Sequence, residues 1–195
     1  QVCIAMKRLY VHDSIYDEVV DELAAIANDT VIGDGLEQGT KLGPLQNKMQ
    51  YEKVKELIES ARQDGNIVAG GEVPDQSGYF IRPTIVRDVT EGSRIVDEEQ
   101  FGPVLPVIRF SDESDAIARA NNSDYGLGGS VWSSDLDRAY DVANQMNTGT
   151  VWINKHAELD PGIPFGGSKQ SGLGNELGME GLKEFTQLKM INMAR

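Results

Sequence analysis

Four stretches of the sequence carry residue types that can do chemistry. The first is Gln1-Val2-Cys3-Ile4-Ala5, which holds the chain's one cysteine. A thiolate is the best nucleophile among the side chains and attacks carbonyl carbons readily. A free thiol ionises near pH about 8.5, so it needs help from its surroundings at neutral pH. By residue type alone, a cysteine between valine and isoleucine also reads as a small buried hydrophobe. The second stretch is Glu98-Glu99-Gln100-Phe101-Gly102-Pro103-Val104. A carboxylate there can accept from a pair of ribose hydroxyls, and a phenylalanine two residues on can pack against a flat ring. Gly-Pro then fixes the turn into a strand. The same residues also fit a plain acidic surface loop.

The third stretch runs from Pro164 to Glu176 and is rich in glycine. Glycines permit positive φ and close backbone approach. The stretch lacks both the GxxxxGK[ST] and the GxGxxG patterns of phosphate-binding loops, so a rigid loop over a site is the better reading. The fourth is the apolar end of the chain, Leu188 to Ala194. An apolar strand at a chain end is a sheet edge that needs a partner. Pairing within its own chain and pairing with another chain are equally open.

Composition restricts what these stretches can serve. The chain has 195 residues, 39% of them hydrophobic, enough for a core. With 18 basic and 31 acidic residues the net charge is −13, which disfavours nucleic acid and anionic membrane surfaces as partners. One cysteine cannot form an internal disulfide, and with His12 and His156 it cannot build a Cys/His zinc site, so no metal is expected. No apolar run approaches the roughly 18–20 residues that span a bilayer, and no signal peptide is visible. A soluble, cytoplasmic α/β protein is expected. The chain opens on Gln1 rather than Met, which reads as a cut piece of a longer chain.

The elements that must position these residues follow from periodicity. Residues 7–12 read as a strand. Ser14 is expected to cap a helix whose face is Ile15, Val19, Leu23 and Ile26. Residues 31–46 are loop. Asn47 starts a second helix, with Gln50 three residues on, a stripe of Val54, Leu57, Ile58 and Ala61, and Gly65 at its end. Strands are expected over 66–69, 79–89 and 104–110, with Pro83 assigning the second of these to an edge or a bulge. A helix over 112–121, a strand over 129–132, a helix over 135–146 capped by Ser134, and a strand over 150–154 follow. A long loop over 155–178, a short helix and the strand 188–194 complete the chain. Alternating strands and helices with short loops predict an α/β fold with a mainly parallel sheet covered by helices. In such sheets the working residues sit in loops at the strands' carboxyl ends.

The order and spacing of the motifs resemble the C-terminal part of the NAD(P)-dependent aldehyde dehydrogenase superfamily. The resemblance runs through Gln1-Val2-Cys3-Ile4-Ala5 with Arg8, Gly43-Pro44, Glu99-Gln100-Phe101-Gly102-Pro103-Val104 and Val151-Trp152-Ile153-Asn154. It continues through Pro164-Phe165-Gly166-Gly167, Lys169, Ser171-Gly172, Gly174, Glu176 and Gly178. The resemblance implies that Cys3 is the catalytic nucleophile. It would form a thiohemiacetal with an aldehyde, and after hydride transfer a thioester that water cleaves. The backbone N–H of Cys3 would donate to the oxyanion. Glu99 is implied to bind the nicotinamide ribose of NAD or NADP, with Phe101 beside the ring. Val2, Ile4, Asn154 and Phe165 are implied to border the substrate tunnel, Glu176 to take part in a water or proton relay, and Lys169 to brace its loop.

By the same resemblance, residues 1–178 are a catalytic domain incomplete at its N-terminus. Residues 179–195 are a helix and an oligomerisation strand that makes a dimer or tetramer. The Rossmann-type cofactor domain, the general-base glutamate and the oxyanion asparagine lie upstream of the cysteine in the family and are absent from this sequence. Asn175 stands where an arginine is usual, and Leu45 where some members have a polar residue near the cofactor. A non-catalytic assembly module that pairs through its terminal strand is the alternative. A thiol hydrolase or redox protein lacks support, because no histidine lies near Cys3 in sequence and there is no second cysteine.

Overall fold

The computed structural model describes residues 1–195 and divides into two units, 1–116 and 117–195. In the first unit β1 (Leu9–His12) leads through a 3-10 turn, Asp13–Ile15, into α1 (Tyr16–Asp29). Ser14 does not cap this helix. His12 Nδ1 accepts from the Ser14 N–H at 3.2 Å, so the histidine caps the turn. The apolar face is also rotated from the one expected. Tyr16, Val20 and Ala27 are buried, whereas Ile15 and Ile26 are 50% and 63% exposed.

Tyr16 explains the rotation. Its hydroxyl donates to the Val107 carbonyl at 2.9 Å and accepts from the Asp88 N–H at 3.0 Å. A buried tyrosine must satisfy its oxygen, and meeting one backbone partner on the strand Val104–Phe110 and another just after the strand Thr84–Arg87 turns the helix to suit. The guanidinium of Arg109 lies 3.9 Å from the centroid of the same ring.

The second helix, α2 (Lys48–Asp64), forms as expected. The Asn47 side chain accepts from the Gln50 N–H at 2.9 Å, the stripe Val54, Leu57, Ile58 and Ala61 is buried, and Gly65 ends the helix. β2 (Asn66–Ala69) is antiparallel to β3 (Thr84–Arg87). The single turn α3 (Arg94–Asp97) precedes β4 (Val104–Phe110), which runs parallel to both β3 and β1. The sheet order is β1-β4-β3-β2. The strand expected over 79–89 is therefore shorter and lies inside the sheet, not at its edge. Pro83 has no N–H to give a ladder, and here it stands just before the strand.

Side chains alternate across this sheet. Tyr10, Val86, Val104 and Ile108 face the cluster built on α2 and α3. Leu9, Val11, Ile85, Leu105 and Val107 face α1. Both faces are covered, the condition that lets parallel strands be apolar throughout. The expected α/β architecture, a mainly parallel sheet with helices over it, is the one found.

Helix α4 (Glu113–Asn121) spans the point in sequence where the first unit ends. The second unit holds β5 (Tyr125–Gly126), β6 (Gly128–Val131), α5 (Leu136–Gln145), β7 (Thr150–Ile153), β8 (Ser168–Lys169) and α6 (Gly178–Glu184). β6 and β7 pair in parallel with α5 as their crossover, and β5 pairs antiparallel with β8. The cap of α5 is Asp135, not Ser134. The Asp135 carboxylate accepts from the Arg138 N–H at 3.0 Å, and a carboxylate also suits the positive end of the helix dipole.

The expected terminal strand is not formed within this chain. Leu188, Met190, Ile191 and Met193 are 84–86% exposed, with no ladder partner. A strand exists only as part of a ladder, and none of the chain's own sheet edges takes this one. No helix is long and apolar enough to cross a membrane.

Gly149 marks the tightest backbone approach in the second unit, since a Cβ there would overlap the Gly166 carbonyl. Trp132 and Trp152 are the only tryptophans and both belong to this unit. Gly149→Ala is expected to lower the stability read by tryptophan fluorescence in urea by about 2 kcal/mol or more, because backbone rather than a flexible side chain must move. Gly162→Ala, in the same unit, where a Cβ meets only the end of the Asp160 side chain at 3.2 Å, serves as the mild control.

Candidate active site

Cys3 is exposed, in an irregular segment that precedes β1. This removes the reading of Cys3 as a buried hydrophobe. Val2 is exposed and Ile4 half-buried. A turn encloses the cysteine, with the Ala5 N–H donating to the Val2 carbonyl at 3.0 Å. The segment is tied down at both ends. Gln1 Oε1 accepts from the Gln46 N–H at 2.8 Å. Lys7 Nζ donates to the carbonyls of Ile95 and Val96 at 2.7 and 2.9 Å. Gln100 Nε2 donates back to the Lys7 carbonyl at 3.3 Å. Consecutive Cα atoms are about 3.8 Å apart, so the Cα of Cys3 lies within about 15 Å of that of Lys7, which ties this segment to α3 and, through Gln100, to the loop after it.

That loop carries Glu99 and Phe101. Arg94 donates to Glu98 at 2.6 Å, and this hydrogen bond holds the Glu98 carboxyl below the usual range. Glu98 is thereby engaged, and Glu99 next to it stays exposed. Phe101 is half-buried with φ +43°. A bulky residue in the left-handed region is strained by roughly 1–3 kcal/mol and persists only where its surroundings enforce it. The enforcement comes from both sides. Gln50 on α2 donates to the Gln100 carbonyl at 2.6 Å, and the Thr84 N–H donates to the Pro103 carbonyl at 2.8 Å. Gly102 sits so close to α2 that a Cβ would come within 2.6 Å of Val54.

Asn154, Phe165 and Glu176 belong to the second unit. Asn154 follows β7 with φ +54°, and both ends of its amide bind Ser133: Oδ1 accepts from the N–H at 2.9 Å and Nδ2 donates to the carbonyl at 2.8 Å. Phe165 and Glu176 are brought together through their backbones, each N–H donating to the other's carbonyl at 2.8 and 2.7 Å. The Glu176 side chain is exposed and the Phe165 ring half-buried. Lys169 Nζ donates to the carbonyls of Asn121 and Ser123 at 2.7 and 2.8 Å, so it braces its loop as expected. Ser171 Oγ accepts from the Gly126 N–H at 2.9 Å and pins the same loop to β5.

Within the first unit the structure thus links Cys3, Val2 and Ile4 to the loop of Glu99 and Phe101. Within the second it pairs Phe165 with Glu176 and engages Asn154 with Ser133. Sequence reasoning passed over Lys7 and Gln100. The available signal was a lysine directly after the apolar run of residues 2–6, and a glutamine between two residues singled out for binding.

A model of the aldehyde dehydrogenase family matches residues 1–191, and the chain belongs to that family. Among its curated relatives, phenylacetaldehyde dehydrogenase of Pseudomonas fluorescens is 42% identical, over 100% of this chain and 39% of the relative. The NADP(+) succinate-semialdehyde dehydrogenase of Deinococcus radiodurans is 46% identical, over 98% of this chain and 40% of the relative. Among solved structures, the NAD+ complex of an aldehyde dehydrogenase from Bacillus cereus superposes with a TM-score of 0.90 at 43% identity, covering 94% of this chain and 38% of that one. The chain spans about two fifths of the length of these relatives.

The Lys7 amine is pushed down to about 7 from an ordinary 10.5, chiefly because burial penalises the charged form, with Arg8 adding to the effect. Asp97, Glu99 and Glu98 oppose it. Between those two pH values the unfolded chain holds a proton that the folded chain has released, so folding stability gains with rising pH. The stability of the wild type minus that of Lys7→Met, measured by urea unfolding, should therefore grow from pH 7 towards about 10. A difference that shrinks over this range would contradict the burial of the amine.

Proposed function

We propose that the whole protein oxidises an aldehyde to a carboxylic acid with NAD+ or NADP+, and that this chain contributes the nucleophile and the ribose-binding carboxylate. The observation that carries this reading is an exposed Cys3 on a segment bonded to the loop of Glu99 and Phe101, in a member of this family. The Cys3 thiolate attacks the carbonyl carbon, and the carbonyl oxygen becomes the oxyanion of a thiohemiacetal. The Cys3 backbone N–H donates to that oxyanion. Val2 and Ile4, either side of the nucleophile, border the aldehyde's path, and water cleaves the thioester and restores the thiol.

The residues suit a nicotinamide dinucleotide. Arg94 engages Glu98 and leaves the Glu99 carboxylate to accept from two ribose hydroxyls. Phe101, with its backbone at φ +43°, would lie beside the nicotinamide ring. When bound, the nicotinamide supplies the hydride acceptor that converts the thiohemiacetal into a thioester. The Bacillus cereus structure is an NAD+ complex and the Deinococcus radiodurans relative is named for NADP(+), so the proposal keeps both. The relatives' names differ in substrate, and the proposed substrate is an aldehyde as a class. A cytoplasmic location is part of the proposal; the relatives include a cytosolic form from rat and a mitochondrial one from Leishmania tarentolae.

In the whole protein, Cys3→Ser should lower NADH formation from aldehydes by about a thousandfold or more, the scale on which a covalent nucleophile acts. Glu99→Ala should raise the KM for the dinucleotide about tenfold, the worth of one hydrogen bond to a charged group. Undiminished turnover in Cys3→Ser would sink the reading. The 195 residues by themselves should turn over little, since holding cofactor and thiol together supplies much of the rate.

A second reading rests on the four exposed apolar side chains of residues 188–193. Through them the chain pairs with a second copy, as a homo-oligomer of the enzyme or as a non-catalytic assembly module. Light scattering should give a dimer or tetramer that falls to a monomer when residues 187–195 are removed. A mass unchanged by that truncation would count against any role of this segment in assembly.

A further inference from the structure

We propose that Lys7, together with Gln100, is a positioning residue that holds the Cys3 segment in register with the loop of Glu99 and Phe101. The inference rests on the roles proposed for Cys3 and Glu99, and deepens them. Three observations carry it. First, Ile95 and Val96 are the two buried middle residues of the one-turn α3, and a helix leaves the carbonyls of its last turn without intrahelical donors. Such carbonyls need a partner when water is excluded, and the Lys7 amine donates to both at 2.7 and 2.9 Å.

Second, the attachment is reciprocal. The Gln100 amide donates to the Lys7 carbonyl, so the segment is held by its backbone as well as by its side chain. One bond alone would leave the segment free to pivot; bonds from the Lys7 amine to α3 and to the Lys7 carbonyl from the loop that follows α3 do not. Third, the loop is itself anchored at two further points, since Gln50 donates to the Gln100 carbonyl and the Thr84 N–H to that of Pro103. Lys7 thus refers the thiol, four residues away, to a fixed frame, and Glu99 and Phe101 stand in that same frame, either side of Gln100.

The chain's single cysteine is exposed, so a nitroxide label on the 195-residue chain reads the segment directly. Lys7→Met keeps the apolar stem and removes the donors; Lys7→Arg keeps donors. The expected result is a native far-UV circular dichroism spectrum in Lys7→Met with a label correlation time about threefold shorter, and a return to the wild-type line shape in Lys7→Arg. A natively folded Lys7→Met chain with an unchanged line shape overturns the inference. Should Lys7→Met unfold, the arginine variant decides: an immobile label supports the clamp and a mobile label on a folded chain refutes it. Loss of fold in both variants assigns Lys7 to the core and equally refutes a positioning role. The label reads position and not turnover, so these outcomes are separable from failure of the dehydrogenase reading, which Cys3→Ser tests by NADH formation.

Discussion

The sheet of the first unit is apolar on both faces, and that constraint organises everything attached to it. β3 and β4 present Val86, Val104 and Ile108 to one side and Ile85 and Val107 to the other. Neither face can be left to water, so α1 must cover one and α2 the other. Covering them fixes the ends of these helices, and the ends carry the loops. Tyr16 is the point where this closes most tightly: its ring is buried, and its hydroxyl joins the backbone of β4 to the backbone just after β3. The helix that covers the sheet is thereby stitched to two of its strands by one oxygen.

The loop of Glu99 and Phe101 draws its geometry from the same packing. Residues in left-handed backbone conformations are costly unless their neighbours leave no alternative. Phe101 is held this way by Gly102 lying against Val54 of α2, the helix whose other residues cover the sheet. In the second unit, Asn154 and Lys169 adopt the same region of backbone space, and each spends its side chain on nearby backbone: Asn154 on Ser133, Lys169 on Asn121 and Ser123. The strained positions sit at the ends of β7 and β8 and at the entry to β4, where loops leave a rigid ladder. The ladder supplies the rigidity that the loops convert into fixed side-chain directions.

Charge works on the same scale of distance. The acidic loop after α3 is not uniformly available, because Arg94 engages Glu98 and leaves Glu99 exposed. Lys7 answers the helix carbonyls rather than the carboxylates, which is why burial rather than ion pairing governs its amine. An acidic chain in this way leaves one carboxylate exposed beside a lysine whose proton is loosely held.

What the sequence determined by itself was whatever depends on neighbours within one or two turns. α2 is legible down to its cap, because Asn47 bonds a residue three positions on and the stripe of Val54, Leu57, Ile58 and Ala61 repeats with the helix. The order of the longer strands and helices up to β7 was legible for the same reason, though the short α3, β5 and β8 were not, and so was the family, since its motifs are contiguous in sequence. Tertiary structure decided whatever depends on groups far apart in the chain. The face of α1 was set by Tyr16 reaching residues 72 and 91 positions away, not by the isoleucines that mark the pattern. β3 became an interior strand because β2 and β4 flank it, a pairing that Pro83 does not announce. Lys7 found its carbonyls 88 and 89 positions away, and the terminal segment, for want of a ladder within the chain, stayed exposed. Local hydrogen bonds and periodicity are written in spacing, whereas long-range partners are selected only when the sheet closes and each buried polar atom must find its match.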